Sequence, residues 1–342
     1  MSFHKNVFQK LYGFVVILSV FVMTVIQMFG KLNFVYPLLK TSVCALDGGV
    51  ALLIVFLEIV DAVNRNFINV KTISRFYNHL NKIDKFLDLP PVRNYFLRGV
   101  LSYKFFVIIV HCVTFAMFFN DVTSNNDFYG WQGHKYNCIS FILIYKMTWF
   151  VIRLYVTVNE IRRRFELLNR KFELIIRTTN SETPTINYLK CHDMLCGLIT
   201  KVNKTYGFQI MIMDKLIALR VVETSYLCVL FAIEERTKLS VLSFVNNCLW
   251  SICFIICGAL ISFSCGKANK QAQFMIVLCQ NLYNKVGGHP LKEEILMQFA
   301  KQVVLAKPEF NCLGFFPVNY GSFLKILSSI FNYIIIVLQF DI

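Results

Sequence analysis

The sequence predicts an all-α polytopic membrane protein. It would have seven transmembrane helices, a cytoplasmic N-terminus, an extracellular C-terminus and amphipathic cytoplasmic anchor helices. Three observations carry that prediction. Of 342 residues, 56% are hydrophobic and only 16% charged, whereas a soluble domain is nearer 25% charged. Apolar stretches of about 20 residues, the length that crosses a bilayer core, recur seven times. The net charge of +15 is gathered into the long segments between alternate stretches, as the excess of Lys and Arg is in cytoplasmic loops.

The first span, 11–30, has an apolar core too long for a signal peptide, and no small-x-small cleavage site follows it. The second, 42–63, carries Asp47 near its outer end. After it, Phe76, Tyr77, Leu80, Ile83, Phe86 and Leu87 are spaced as an amphipathic helix that Pro90-Pro91 stops. Span three is 100–120. Span four, 137–158, is prolonged by Ile161, Phe165, Leu168, Phe172, Ile175 and Ile176 into a second amphipathic helix. The loop 181–185 precedes a third, 186–203, which runs into span five at 206–232. Span six is 241–265. A break at 287–290 leads to an amphipathic helix over 291–305, a turn at Pro308 and span seven, 316–340. The chain thus divides into six spans with their extensions (1–265), a cytoplasmic anchor region (266–315) and a last helix (316–342).

The basic segments set the orientation. Arg65, Lys71, Arg75, Lys82, Lys85, Arg93 and Arg98 follow span two; nine Lys and Arg from Arg162 to Lys204 follow span four; Lys267 to Lys307 follow span six. The alternate loops are short and poor in base. Lys5 and Lys10 put the N-terminus on the same, cytoplasmic side, opposite to a G-protein-coupled receptor. The charge is therefore topological, and nucleic acid is not an expected partner. The one N-x-S/T acceptor, Asn203-Lys204-Thr205, falls in a cytoplasmic segment, where no glycan is added.

In the last span Lys325, Ser328, Asn332 and Gln339, with Ile336 among them, fall within an arc of roughly 80° on a helical wheel. Every other face is apolar. Uncompensated polar groups in hydrocarbon cost several kcal/mol, so the stripe must face protein or water. It is a candidate pore wall, with Phe340 about 100° from Gln339; the alternative is interhelical hydrogen bonding by Asn332 and Gln339. Lys325, which would repel a permeant cation, suits the cytoplasmic mouth or a snorkelling position.

No HExxH, P-loop or GxSxG element is present, so an enzyme has no support and no cofactor is implied. Cys191-x4-Cys196 and Cys253-x3-Cys257 lack the paired spacing and histidine partners of a zinc site, and no metal is expected. Ionisable groups inside spans are functional candidates by default: Asp47, His111, Lys146 beside Tyr145 and Trp149, and Arg220 with Glu223, which also suit a structural ion pair three residues apart. Tyr226 and Trp250 offer stacking surfaces, or simply packing.

The tail Asn332-Tyr333-Ile334-Ile335-Ile336-Val337-Leu338-Gln339-Phe340 resembles the C-terminal signature of the insect gustatory receptors: Thr-Tyr, five apolar residues, then Gln-Phe, with Asn here in place of Thr. Upstream, Phe310-Asn311-Cys312-Leu313-Gly314-Phe315-Phe316-Pro317-Val318-Asn319-Tyr320 is similar to that family's approach to its last helix. Val202-Asn203-Lys204-Thr205-Tyr206-Gly207 is similar to the segment entering its fifth span. The resemblance implies a ligand-gated cation channel in the plasma membrane of a gustatory neuron. The last helices of four subunits would line the pore, Gln339 and Phe340 would lie near an extracellular gate, and the cytoplasmic helices would hold the tetramer together. Its partners would be a small-molecule tastant, permeant cations, the lipid bilayer and other gustatory receptor subunits. The tastant would bind in the outer half of spans one to six, where the ionisable and aromatic candidates lie. Sugar-sensing members often carry an acidic residue directly after the motif's Tyr. Here it is Ile334, which points to a bitter or plant secondary compound, with fructose-type sensing left open. The competing readings are a G-protein-coupled receptor, which needs the opposite orientation, and a transporter, which needs internal repeats and broken spans.

Overall fold

Apolar spacing of 3.6 residues continues past the ends of three expected spans, and there the chain forms single uninterrupted helices. The structure is a computed structural model. It describes residues 41–63, 70–89, 126–178, 183–233, 241–285, 290–306 and 308–341, with isolated positions between 14 and 29 and between 108 and 116. Apart from those positions spans one and three lie outside the described residues, as does His111.

The described helices are α1 (Thr41–Val63), α2 (Val70–Phe86), α3 (Asn126–Thr178), α4 (Thr183–Ile233), α5 (Val241–Lys285), α6 (Pro290–Ala306) and α7 (Tyr320–Asp341). No strand occurs among the described residues; the one extended pairing is a bridge between Asn311 and Pro317. At 1.5 Å per residue α3, α4 and α5 are about 65–80 Å long, roughly twice the thickness of a bilayer core. One half of each forms the apolar bundle and the other half projects from it. The extensions of spans four and five are as expected. The continuation of span six to Lys285 is not, because Lys267 and Lys270 end the apolar composition without ending the helix. Two bounds also differ. Span four begins its helix at Asn126 rather than 137. Span seven begins at Tyr320 rather than 316, since Pro317 and the preceding turn occupy the intervening residues.

In the projecting half, α3, α4 and α6 pack around α5, and α2 lies on α4. Phe165, Leu168 and Phe172 of α3, Cys191, Leu195 and Leu198 of α4, Ala268, Ala272 and Met275 of α5 and Phe299 of α6 are all buried. Phe172 meets Phe299 edge to face at 4.8 Å between centroids. Leu296, Phe299 and Val303 of α6 are covered by neighbouring helices of the same chain. What α6 leaves exposed is a second face, Met297, Val304 and Leu305.

His192 sits at the centre of this core, against the rings of Phe165 and Phe299. Its Nε2 faces Ala272 O at 3.4 Å and its Nδ1 faces Cys196 Sγ at 3.5 Å. The neutral ring with the proton on Nε2 satisfies both contacts. Burial pushes its pKa down to about 4 against the opposing pull of Ala272 O and Asp193.

Ion pairs fasten α2 to α3. Arg164 is buried and bonds both oxygens of Asp84 and one of Glu160. Lys171 donates to Leu87 O at 2.9 Å and to Asp88 at 2.8 Å, capping the end of α2 where Asp88 turns left-handed (φ 50°). In the apolar half, α4, α5 and α7 converge on Gly258. A methyl there would overlap Ile217 and lie 2.9 Å from the Phe323 ring.

Candidate functional site

The approach to α7 is a folded turn, not a linker. Val318 N donates to Phe310 O at 2.8 Å and Cys312 N to Phe316 O at 3.0 Å. The tip takes left-handed backbone at Leu313 (φ 51°) and Gly314 (φ 84°), where Asn311 Oδ1 accepts from Gly314 N at 2.8 Å. Two asparagines from the long helices hold it. Asn203 of α4 donates to Glu309 O at 2.8 Å and accepts from Asn311 N at 3.1 Å. Asn269 of α5 accepts from Phe310 N at 2.9 Å. Gly207 lets the turn approach, for a Cβ there would stand 2.9 Å from Leu313 N. Asn319 then caps α7, its Oδ1 accepting from Ser322 N at 2.9 Å. The hydrogen-bonding capacity of the turn is thus spent on fixing where α7 starts and how it leaves α4 and α5.

α7 packs on α4 and α5 through buried Phe323 and Ile330, with Ile326, Leu327 and Ile334 half-buried. At 100° per residue that face is centred about 180° from the polar stripe. Lys325, Ser328, Asn332, Ile336 and Gln339 are all exposed in the single chain. Among the described residues, no side-chain hydrogen bond joins Lys325, Ser328, Asn332 or Gln339 to the rest of the bundle. The side chain of Phe340 lies outside the described residues.

The intramembrane candidates are only partly gathered. Arg220 pairs with Glu223 at 2.8 Å and donates to Asn247 Oδ1 of α5 at 2.9 Å. Ser251 donates to Arg220 O at 3.3 Å, and its hydroxyl also meets that of Thr224. This polar seam ties α4 to α5. Tyr226 and Trp250, both buried, belong to the same two helices. Tyr145, Lys146 and Trp149 are half-buried on α3, with the Tyr145 ring 6.1 Å from that of Phe115. Asp47 is half-buried on α1, which packs on α4.

A second intramembrane cluster went unremarked in the sequence. Asp61 of α1, 3% exposed, accepts from Arg153 of α3 at 2.8 Å and from Gln209 of α4 at 3.1 Å. One acid and one base in two different expected spans were its signal. Neither Asn203 nor Asn269 carried any comparable signal for holding the turn.

A family model of the 7tm chemosensory receptors matches residues 4–342. A Drosophila melanogaster protein named for the gustatory receptors, gustatory receptor 28b, is 23% identical over 188 residues, which is 54% of this chain and 40% of that relative's length. The solved structure of the insect olfactory receptor OR5 from Machilis hrabei is similar with a TM-score of 0.67 at 14% identity, covering 96% of this chain and 89% of that one. The same receptor in complex with eugenol gives 0.68 at 15% identity, covering 98% and 91%. At such identities the likeness establishes the all-helical fold.

Proposed function

The chain belongs to the 7tm chemosensory receptor family, and on that premise we propose that it is a tastant-gated, non-selective cation channel assembled as a tetramer. The observation that carries this reading is the polar stripe of α7. It is turned away from the chain's own bundle and has no hydrogen-bonding partner within it among the described residues. Four such helices around an axis would give Lys325, Ser328, Asn332 and Gln339 the water they need, with Ile336 and Phe340 closing the outer end. The exposed second face of α6, Met297, Val304 and Leu305, supplies apolar surface for contacts between subunits.

The proposed orientation places the projecting, basic half in the cytoplasm and the end of α7 outside. Asn203 fits that placement, because its amide is committed to Glu309 and Asn311. The ligand proposed is a small bitter or plant secondary compound. That a structural relative is described in complex with eugenol supports a compact aromatic ligand, and Ile334 in place of an acid supports a non-sugar.

The test is an epitope tag after Ile342 together with whole-cell current. The tag should stain unpermeabilised cells, and a panel of plant phenolics should open a cation current that sugars do not. Staining only after permeabilisation would overturn the orientation and revive a receptor of the opposite topology.

A further inference from the structure

Four cations of the projecting half pair with carboxylates: Arg164 with Asp84 and Glu160, Arg170 with Glu166, Lys171 with Asp88, Arg177 with Glu173. A half-buried lysine faces another base instead. Lys201 of α4 points its ammonium at His79 Nδ1 of α2, 2.9 Å away. Two basic side chains face each other there, and among the described residues no carboxylate pairs with Lys201, Arg75 or Lys82. Arg75, His79 and Lys82 lie on one face of α2, within about 60° on the wheel. Lys201 and His79 are half-buried, while Arg75 and Lys82 are exposed at either side. Burial and then Arg75 push the Lys201 pKa down. Burial, then Lys201, then Lys82 push that of His79 down. The group is short of an anion.

Its position says which kind. Beside the cluster is a small groove of about 30 Å³, in which Phe76 and Val202 join Tyr77, Thr157, Lys201, Thr205 and Tyr206. Thr157 stands at the end of the fourth expected span and Tyr206 at the start of the fifth, and α2 begins seven residues after α1 ends. The groove therefore lies at the boundary between the apolar bundle and the projecting half. Tyrosines collect at that level in membrane proteins, and basic residues there meet lipid phosphates.

We propose that Arg75, His79, Lys82 and Lys201 form a binding site for a phosphate monoester, presented by the headgroup of a phosphoinositide in the facing leaflet. A phosphate between the two helices would accept from Lys201, Arg75 and the protonated His79 and would relieve their mutual repulsion. It would also brace α2 against α4 next to the Asp61–Arg153–Gln209 cluster.

The purified full-length protein is tested by native mass spectrometry against phosphatidylinositol 4,5-bisphosphate, phosphatidylcholine and soluble inositol trisphosphate. The bisphosphate lipid should be retained over phosphatidylcholine. Each cation near a headgroup contributes about fivefold, so Lys82→Gln should weaken retention about fivefold and Arg75→Gln with Lys201→Gln about 25-fold. Lys82 is exposed, so its variant keeps the test independent of folding. Lys270→Gln on α5 should change nothing. Equal retention of both lipids, or an equal loss in Lys270→Gln, overturns the site. Soluble inositol trisphosphate binding as tightly as the lipid overturns the lipid as its source. The measurement involves no tastant and no current, so its failure leaves the channel proposal standing.

Discussion

The guanidinium of Arg164 holds the carboxylate of Asp84 with two hydrogen bonds, Nε to Oδ1 at 2.7 Å and the second terminal nitrogen to Oδ2 at 3.1 Å, and both side chains are 2% exposed. The fork geometry is the strong form of this pair. Its other terminal nitrogen bonds Glu160 at 2.8 Å, so one cation offsets two acids where α2 crosses α3. Arg164→Met should cost about 3–5 kcal/mol, because Asp84 and Glu160 would be left buried without a counter-charge. Arg164→Lys should recover only part, since an ammonium cannot make the fork. Asp84→Asn should cost less than Arg164→Met, as Arg164 keeps Glu160. Melting followed by size-exclusion in detergent gives the ranking, and equal melting temperatures for wild type and Arg164→Met would contradict it.

Acid should loosen the projecting half through His192. Its pKa in the fold is about 4, against 6.5 for the free side chain. Below 6.5 the unfolded chain takes up a proton that the folded ring refuses. Stability therefore falls as pH drops from about 6.5 to about 4, by about 3 kcal/mol at most, and levels off below. His192→Gln removes the titration and should flatten that part of the melting-temperature profile. A profile unchanged by the substitution would mean that other groups set the acid limit.

The turn before α7 should depend on two α4 residues. Gly207→Ala sets a methyl 2.9 Å from Leu313 N, and backbone cannot give way as a side-chain tip can, so a loss of about 1–3 kcal/mol is expected. Asn203→Ala strands Asn311 N and leaves Glu309 O only the long 3.5 Å bond from Asn311 Nδ2, for a similar cost. Gly197→Ala, which meets nothing within 4 Å, is the control and should be neutral or slightly stabilising. Glycosidase treatment should leave the mobility of the wild type unchanged, because Asn203 Nδ2 is already bonded inside the protein.

Legibility in the sequence followed the reach of the interactions. Periodic apolar positions are local, so the helical extensions of spans four and five, the helix over 291–305 and the polar stripe of α7 could all be read directly. Partners are not local. Nothing adjacent to Leu296 or Phe299 says that α5 and α4 of the same chain will cover them. Arg220 and Glu223, three residues apart, suggested their pairing. Asp61 and Arg153 are 92 positions apart, and only the folded chain brings them within 2.8 Å. Asn203 was visible as a glycan acceptor, but its hydrogen bonds to a turn 106 residues away were not.

The gate prediction rests on the wheel of α7. Ile336 and Gln339 lie on the polar arc, Phe340 is about 100° from Gln339, and Val337 is about 160° from it. Ile336 is 48% exposed in the single chain and Gln339 is exposed too, which leaves that face available to the proposed pore. In a closed ring, apolar side chains exclude water, and a dewetted constriction blocks ions. Ile336→Ser and Phe340→Ser should hydrate the constriction and leak cations without ligand, read as a raised holding current. Gln339→Leu should keep the gate shut at rest and lower the ligand-evoked current at normal surface expression, because the widened ring would lose its amides. Val337→Ser should not leak. If the three serine variants behave alike, the stripe does not face the pore, and α7 packs against a partner through it instead.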